Sequence, residues 1–125
     1  MSPQILIVDD EEPILSAVRE YFEPLGYGVD CARELEEAEA LLAHVRYALL
    51  IADLRLTGSQ SAEGLELVRF VRERSPWTRT ILLTGFGSLE VETEAMGRGV
   101  DAFLQKPQPL ARLAAVAEEL LRISP

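Results

Sequence analysis

Five short apolar runs alternate with segments of helical period, and this alternation constrains the fold more than any other feature of the chain. The runs are ILIV at Ile5–Val8, GVDCA around Val29, YALLIA at Tyr47–Ala52, ILLT at Ile81–Thr84 and DAFLQ at Asp101–Gln105. Their length and their Ile, Val and Leu content read as strands buried on both faces. Between them, apolar residues recur at spacings of three and four. They are Ile14, Leu15, Val18, Tyr21 and Phe22 within Pro13–Glu23, then Leu35, Ala38, Leu41 and Leu42, then Leu65, Val68, Phe70 and Val71. The segment Ser88–Met96 is weaker and very acidic. Pro109–Ile123 is clearly amphipathic, with Leu110, Leu113, Val116, Ala117, Leu120 and Leu121 inward. Pro13 suits a first helical turn, the acids before it favour a helix N-terminus, and Ser75-Pro76 stops the third helix. Strand followed by helix, five times over, predicts an α/β fold: a doubly wound five-stranded parallel sheet with helices on both faces, joined by right-handed crossovers.

The chain has 125 residues, enough for one domain over 1–125, and 48% hydrophobic against 26% charged residues allows a real core. No repeat or linker interrupts it, and the last predicted helix ends two residues before the chain does, leaving no room for a second domain. A net charge of −9 argues against nucleic acid or an anionic membrane surface as a direct partner. A single cysteine, Cys31, permits no internal disulfide and suits a reducing cytosol. There is no basic n-region, and no apolar run is long enough for a signal peptide or a transmembrane helix. The expectation is a cytoplasmic protein.

In open parallel sheets chemistry gathers outside the carboxyl ends of the strands. Asp9 and Asp10 follow the first strand, Asp53 the third, Thr84 and Gly85 the fourth, and Lys106 and Pro107 the fifth. Three carboxylates, a hydroxyl and an ammonium therefore converge on one rim. Carboxylates packed together are costly unless a cation sits among them, and hard oxygen donors without His or Cys point to Mg2+. One carboxylate can then act as nucleophile, while a lysine and a hydroxyl suit the equatorial oxygens of a phosphoryl group. The bland alternative is that acids after a strand only cap the next helix, a role Asp10 could fill before Pro13.

The set ILIVDDE at Ile5–Glu11, LLIADLRL at Leu49–Leu56, ILLTG at Ile81–Gly85 and GVDAFLQKP at Gly99–Pro107 resembles the receiver domain of two-component response regulators over essentially the whole chain. The resemblance implies a flavodoxin-like sheet of strand order 2-1-3-4-5. It implies a phosphoprotein of phosphorelay signal transduction, not an enzyme in the ordinary sense, with weak self-phosphorylating and self-dephosphorylating chemistry. Asp53 would be the phosphoacceptor, taking the group from a sensor histidine kinase or a phosphotransfer protein. Asp10 would ligate Mg2+ directly, Asp9 mainly through a metal-bound water, and Asp53 and the Arg55 carbonyl would complete the set. Lys106 would pair with Asp53 and then with the phosphoryl group. Thr84 would hydrogen-bond that group, Phe103 would be the aromatic switch, and a cis bond would join Lys106 to Pro107. The output would be a population shift at the surface of the fourth helix, fifth strand and fifth helix, controlling an effector protein or self-dimerisation.

The chain departs from the family pattern after Asp53. Leu56 and Thr57 stand where Met and Pro are usual, and Gly64 comes late, which reads as a short insertion at Gly58–Ser61: a tolerated surface loop, or a partner-recognition loop. Arg55 either screens the phosphoryl group from water or pairs with Glu11 or Glu12. Gly85 gives more room at the rim than the usual Ala or Ser. The stretch TGFGSLEVETEAMGRG resembles receivers attached to ATP-driven transcription activators, so the chain is either stand-alone or a piece of a longer regulator. His44 is expected on the surface, complementing a helix dipole; Cys31 is expected in the core, and Trp77 packed in a loop. A phosphorylation-independent interaction module would fit a receiver that had lost an acid or the lysine, but this chain keeps them all. A flavodoxin-like cofactor binder would need a Ser/Thr/Gly-rich phosphate loop where DDEEP stands.

Overall fold

The computed structural model describes residues 2–54, 63–85 and 89–122. Five strands, β1 (Gln4–Val8), β2 (Gly28–Ala32), β3 (Leu49–Asp53), β4 (Arg79–Thr84) and β5 (Ala102–Gln105), alternate with five helices, α1 (Glu12–Phe22), α2 (Leu35–His44), α3 (Glu63–Arg74), α4 (Leu89–Gly97) and α5 (Leu110–Arg122). All neighbouring strands are parallel, in the order β2-β1-β3-β4-β5. Val8 pairs with Ala32 and Ala52, Asp53 with Leu83, and Thr84 with Gln105. The strands thus end nearly level, and whatever follows each one lands on a single rim.

The absence of apolar–polar alternation in β1, β3 and β4 is explained by the two faces. Leu6, Val8, Leu50, Ala52 and Leu82 pack with Ala38 and Leu42 of α2, Val68 and Val71 of α3, and Ala95 of α4. Ile5, Ile7, Leu49, Ile51, Ile81 and Leu83 pack with Leu15, Val18 and Phe22 of α1, and with Leu113, Ala117 and Leu120 of α5. Successive residues of a strand point to opposite faces, so a strand covered on both sides must be apolar throughout.

The elements begin and end within a residue or two of their expected places, with instructive differences. β4 starts at Arg79, ahead of the apolar run, because Asp101 anchors its polar beginning: Arg79 Nη1 lies 3.2 Å from Asp101 Oδ1, and the Thr80 N–H donates to Asp101 Oδ2 at 2.8 Å. Tyr21, one of the periodic residues of α1, faces solvent. Cys31 is half-buried at the edge of the core instead of within it. The 3-10 turn Glu23–Leu25 closes on Gly26 at φ 104°, a left-handed position that favours glycine.

A partly buried polar pair ties the approach to β3 to β2. Tyr47 is fully buried and its hydroxyl donates to Asp30 Oδ2 at 2.6 Å, while the Thr78 hydroxyl donates to the Tyr47 carbonyl at 2.8 Å. Burial, and then the hydrogen bond and charge of Asp30, push the Tyr47 phenol well above the ordinary tyrosine value.

Candidate functional site

β1 delivers Asp9 to the rim in a fully buried position. Its amide donates to the Ala32 carbonyl at 3.1 Å, prolonging the β1–β2 ladder by one residue. One carboxylate oxygen, Oδ1, accepts the Glu11 N–H at 2.9 Å; the other, Oδ2, accepts Lys106 Nζ at 2.8 Å. Asp10 is half-buried beside it, and its carbonyl accepts a guanidinium hydrogen from Arg33 at 3.0 Å. Asp10 does not cap α1: the cap position is Glu11, with no side-chain cap hydrogen bond, and Pro13 follows within the first turn. The carboxylate most engaged with that turn is the one nearest the strand, Asp9.

β3 ends in Asp53, half-buried, whose Oδ2 accepts Lys106 Nζ at 2.9 Å. The backbone just after it is held from two sides, because the Leu54 N–H donates to the Leu83 carbonyl and the Gly64 N–H to the Leu54 carbonyl, both at 2.8 Å. Gly64 has to be glycine here: a Cβ would lie 2.7 Å from the Asp53 carbonyl oxygen and 2.8 Å from Leu54 Cα. The glycine that comes late in sequence therefore still touches the backbone of the Asp53 strand end. Arg55 and the Gly58–Ser61 segment lie outside the described residues.

At the end of β4, Thr84 is buried and its carbonyl accepts the Lys106 N–H at 2.7 Å. Lys106 follows β5 and is joined to Pro107 by a cis bond, as expected. Phe103, half-buried, is in register with Leu82 and packs against the core on the α2, α3 and α4 side. Thr84 stands two residues beyond Leu82, so Thr84 and Phe103 belong to the same face of the sheet.

One carboxylate oxygen each from Asp9, Asp10 and Asp53 lie within 4.8 Å of one another. Three hard oxygen donors this close, without His or Cys, suit a small divalent cation such as Mg2+. Burial pushes the Asp9 carboxyl above its usual value; the hydrogen bonds from Lys106 and Glu11 work against this, and the charge of Asp53 adds to it. Burial alone would lower Lys106, but its hydrogen bonds to Asp9 and Asp53 and their charges outweigh that and hold it above the ordinary lysine value. Lys106 thus offsets part of the rim's negative charge by bridging Asp9 and Asp53, with Glu11 further off at 3.8 Å. Sequence reasoning anticipated a pairing with Asp53 and missed the one with Asp9, which no local signal announces.

Sequence reasoning also missed an apolar groove of about 310 Å³ beside the rim, lined by Pro13, Ile14 and Ala17 of α1 and its approach, and by Lys106, Pro107 and Leu110 from the other end of the chain. Only the packing of α1 beside α5 creates it.

The response regulator receiver domain family matches residues 5–118. The nitrogen assimilation regulatory protein NtrX of Azorhizobium caulinodans is 35% identical over 121 residues, covering 97% of this chain and 26% of NtrX. The chain spans about a quarter of the length of the first curated relatives it matches. The crystal structure of a CheY-like response regulator receiver domain protein from Methanospirillum hungatei superposes with a TM-score of 0.90 at 29% identity, covering 98% of this chain and 95% of that one. A response regulator protein from Burkholderia pseudomallei, crystallised with a phosphorylated aspartic acid, calcium ion and citrate, superposes with a TM-score of 0.84 at 27% identity, over 98% and 75% of the two chains.

Proposed function

Since this chain belongs to the response regulator receiver domain family of two-component signalling, we propose that it is switched by phosphorylation of Asp53. One observation carries the reading. Asp53 ends a central strand with its carboxylate on Lys106, and the carboxylates of Asp9 and Asp10 stand close by. In the reaction an Asp53 oxygen attacks the phosphorus of a phosphohistidine on a sensor kinase or phosphotransfer protein. A P–O bond forms as the P–N bond breaks, and the donor imidazole leaves. The phosphorylated aspartic acid of the Burkholderia pseudomallei protein supports this assignment.

Asp9, Asp10 and Asp53, with the carbonyl of Arg55, would hold Mg2+. The ion would supply positive charge against the phosphoryl oxygens and lower the repulsion among the acids. Lys106 positions the Asp53 carboxylate before transfer and then follows the charge onto the phosphoryl oxygens. Thr84 is buried at the neighbouring strand end, so hydrogen-bonding the new phosphoryl group draws it toward the rim. Phe103, on the same sheet face, then turns inward, and the surface of α4, β5 and α5 presents a second state to an effector protein or to another copy. The apolar groove formed by α1 and the segment after β5 opens beside Lys106, and we assign it to the phosphodonor protein. A cytoplasmic setting agrees with this role, and among the described residues no helix is long and apolar enough to cross a membrane.

The test is intact mass after incubation with acetyl phosphate, with and without Mg2+, on the wild type and on Asp53→Asn. A single Mg2+-dependent phosphoryl adduct, absent from the variant, is expected. Folded protein that gains no adduct with metal present would overturn the proposal in favour of a phosphorylation-independent interaction module.

A further inference from the structure

At the opposite end of the strands from the acid rim, where α2 and α3 end and β3 and β4 begin, the surface opens into a groove of about 370 Å³. Its lining includes His44, Arg46, Phe70, Arg74 and Trp77, and no acidic residue. The Arg46 guanidinium carbon lies 4.2 Å from the centroid of the Trp77 ring, and that of Arg74 lies 5.3 Å from the Phe70 ring. Both are ordinary cation–π distances.

These two arginines differ from most others in the chain. Arg19, Arg69, Arg79, Arg98 and Arg122 each have a carboxylate partner, and Arg33 donates to a backbone carbonyl. Among the described residues Arg46, Arg72, Arg74 and Arg112 have no ion pair, although the chain carries 21 acids against 12 lysines and arginines; of these four, Arg46 and Arg74 line the groove. A guanidinium stacked on a ring keeps its in-plane N–H donors free, and its orientation is already fixed. Both features favour bidentate binding of a phosphate over binding by a flexible, solvated cation. His44 and Arg74 close helices whose C-terminal dipoles favour positive charge, and that accounts for their being basic. It does not account for Arg46, which stands on a loop, nor for Trp77, which leaves 42% of its surface exposed.

We infer that this groove is a binding site for a nucleoside phosphate, with the phosphates on Arg46 and Arg74 and the base stacked among Trp77, Phe70 and the guanidinium planes. Bases stack on Trp and on Arg guanidinium planes, and the groove volume lies in the range of small-molecule sites. An acidic protein segment, the other candidate for a cationic groove, offers carboxylates to the arginines but no planar base for the exposed Trp77 ring. The inference stands apart from the phosphorylation of Asp53 and does not depend on it.

Trp77 is the only tryptophan, so its indole N–H gives a single NMR resonance inside the groove. In EDTA, which removes any ion from the acid rim, the full chain would be titrated with adenosine and guanosine mono- and triphosphates, tripolyphosphate and hexaglutamate. At least one nucleotide should shift the Trp77 resonance saturably. The double variant Arg46→Ala/Arg74→Ala, checked for folding by circular dichroism, should bind roughly tenfold or more weakly, as expected for loss of charged hydrogen-bond partners. Arg46→Lys should fall between the two, since it keeps the charge and loses the fork. Several results would overturn the inference: no response at millimolar nucleotide, undiminished binding in the double variant, equal binding of tripolyphosphate, or binding of hexaglutamate alone.

Discussion

Replacing Lys106 with methionine keeps the aliphatic stem and removes the charge that holds the acid rim together. The side chain of Lys106 is 19% exposed; it lies 2.8 Å from an Asp9 carboxylate that is 1% exposed and 2.9 Å from an Asp53 carboxylate that is 12% exposed. Its contact with Glu11 is longer and solvated, and contributes little. Removing one partner of a fully buried ion pair costs about 3–5 kcal/mol. Because the Asp53 side of this site meets water, a loss of about 2–3 kcal/mol is expected for the metal-free protein at neutral pH. The loss should depend on pH in a definite sense. Burial already raises Asp9 above its ordinary value of 3.8, and the variant lacks the hydrogen bond that opposes this. Between the ordinary and the raised value the folded state binds more protons than the unfolded one, so stability falls as pH rises through that window. The penalty of the variant should therefore shrink as pH is lowered toward the ordinary carboxylate value. Millimolar Mg2+ should offset it at neutral pH, since binding to the folded state alone stabilises by about 2.7 kcal/mol at a hundredfold excess over the dissociation constant. Urea unfolding in EDTA at two pH values, and again with MgCl2, would measure all three effects. A penalty under about 0.5 kcal/mol, or one indifferent to both pH and Mg2+, would refute the assignment of Lys106 as the neutralising charge.

Gly64→Ala should destabilise by about 1–3 kcal/mol and slow acetyl phosphate labelling together, because the new Cβ displaces the backbone of Asp53 and Leu54; unchanged melting and labelling would count against it. Ile14→Asp, in the apolar groove, should slow phosphoryl transfer from a donor kinase while leaving labelling by acetyl phosphate alone; equal slowing of both would separate the groove from docking. Tyr47→Phe should cost about 1–3 kcal/mol in denaturant unfolding, since Asp30 loses a 2.6 Å hydrogen bond. In the wild type the folded state retains the Tyr47 proton above the ordinary tyrosine value of 10.0, so stability should fall as pH rises beyond it. Absorbance at alkaline pH should show this tyrosine ionising only as the chain unfolds, and early ionisation of all three would contradict the burial argument.

What could be read in the sequence was whatever depends on residues close along the chain. Apolar runs buried on both faces and helical spacings gave the five strands and helices to within a residue or two, and the strand-end rule picked out Asp9, Asp10, Asp53, Thr84 and Lys106. Strand order came from family resemblance, because periodicity does not say which strand lies beside which. The polar start of β4 was invisible, since Arg79 and Thr80 become strand residues through Asp101, a partner 22 and 21 positions away. The hydrogen bond between Tyr47 and Asp30, the stacking of Arg46 on Trp77 and the bridge from Lys106 to Asp9 were hidden for the same reason. Each is a pairing that only the sheet order makes, even where, as with Asp9 and Lys106, both residues stand out in the sequence.

The bridge between Lys106 and Asp9 spans 97 positions, and this has a consequence for the order in which the protein is made. Synthesis runs from the N-terminus, so Asp9, Asp10 and Asp53 leave the ribosome well before Lys106. Once β1 and β3 are out they have what they need to pair, yet pairing at that stage would gather three carboxylates with no lysine among them. The half-made sheet is opposed at its rim until β5 is added beside β4 and Lys106 arrives with it. The charge pattern that prepares the acid cluster for chemistry therefore also records that the last strand is in place. A nascent or clipped chain lacking β5 would lack α5 as well; it would keep α1 to α4 and the core they cover on their side of the sheet, yet it would carry a cluster of negative charge without the lysine that partly offsets it in the finished domain.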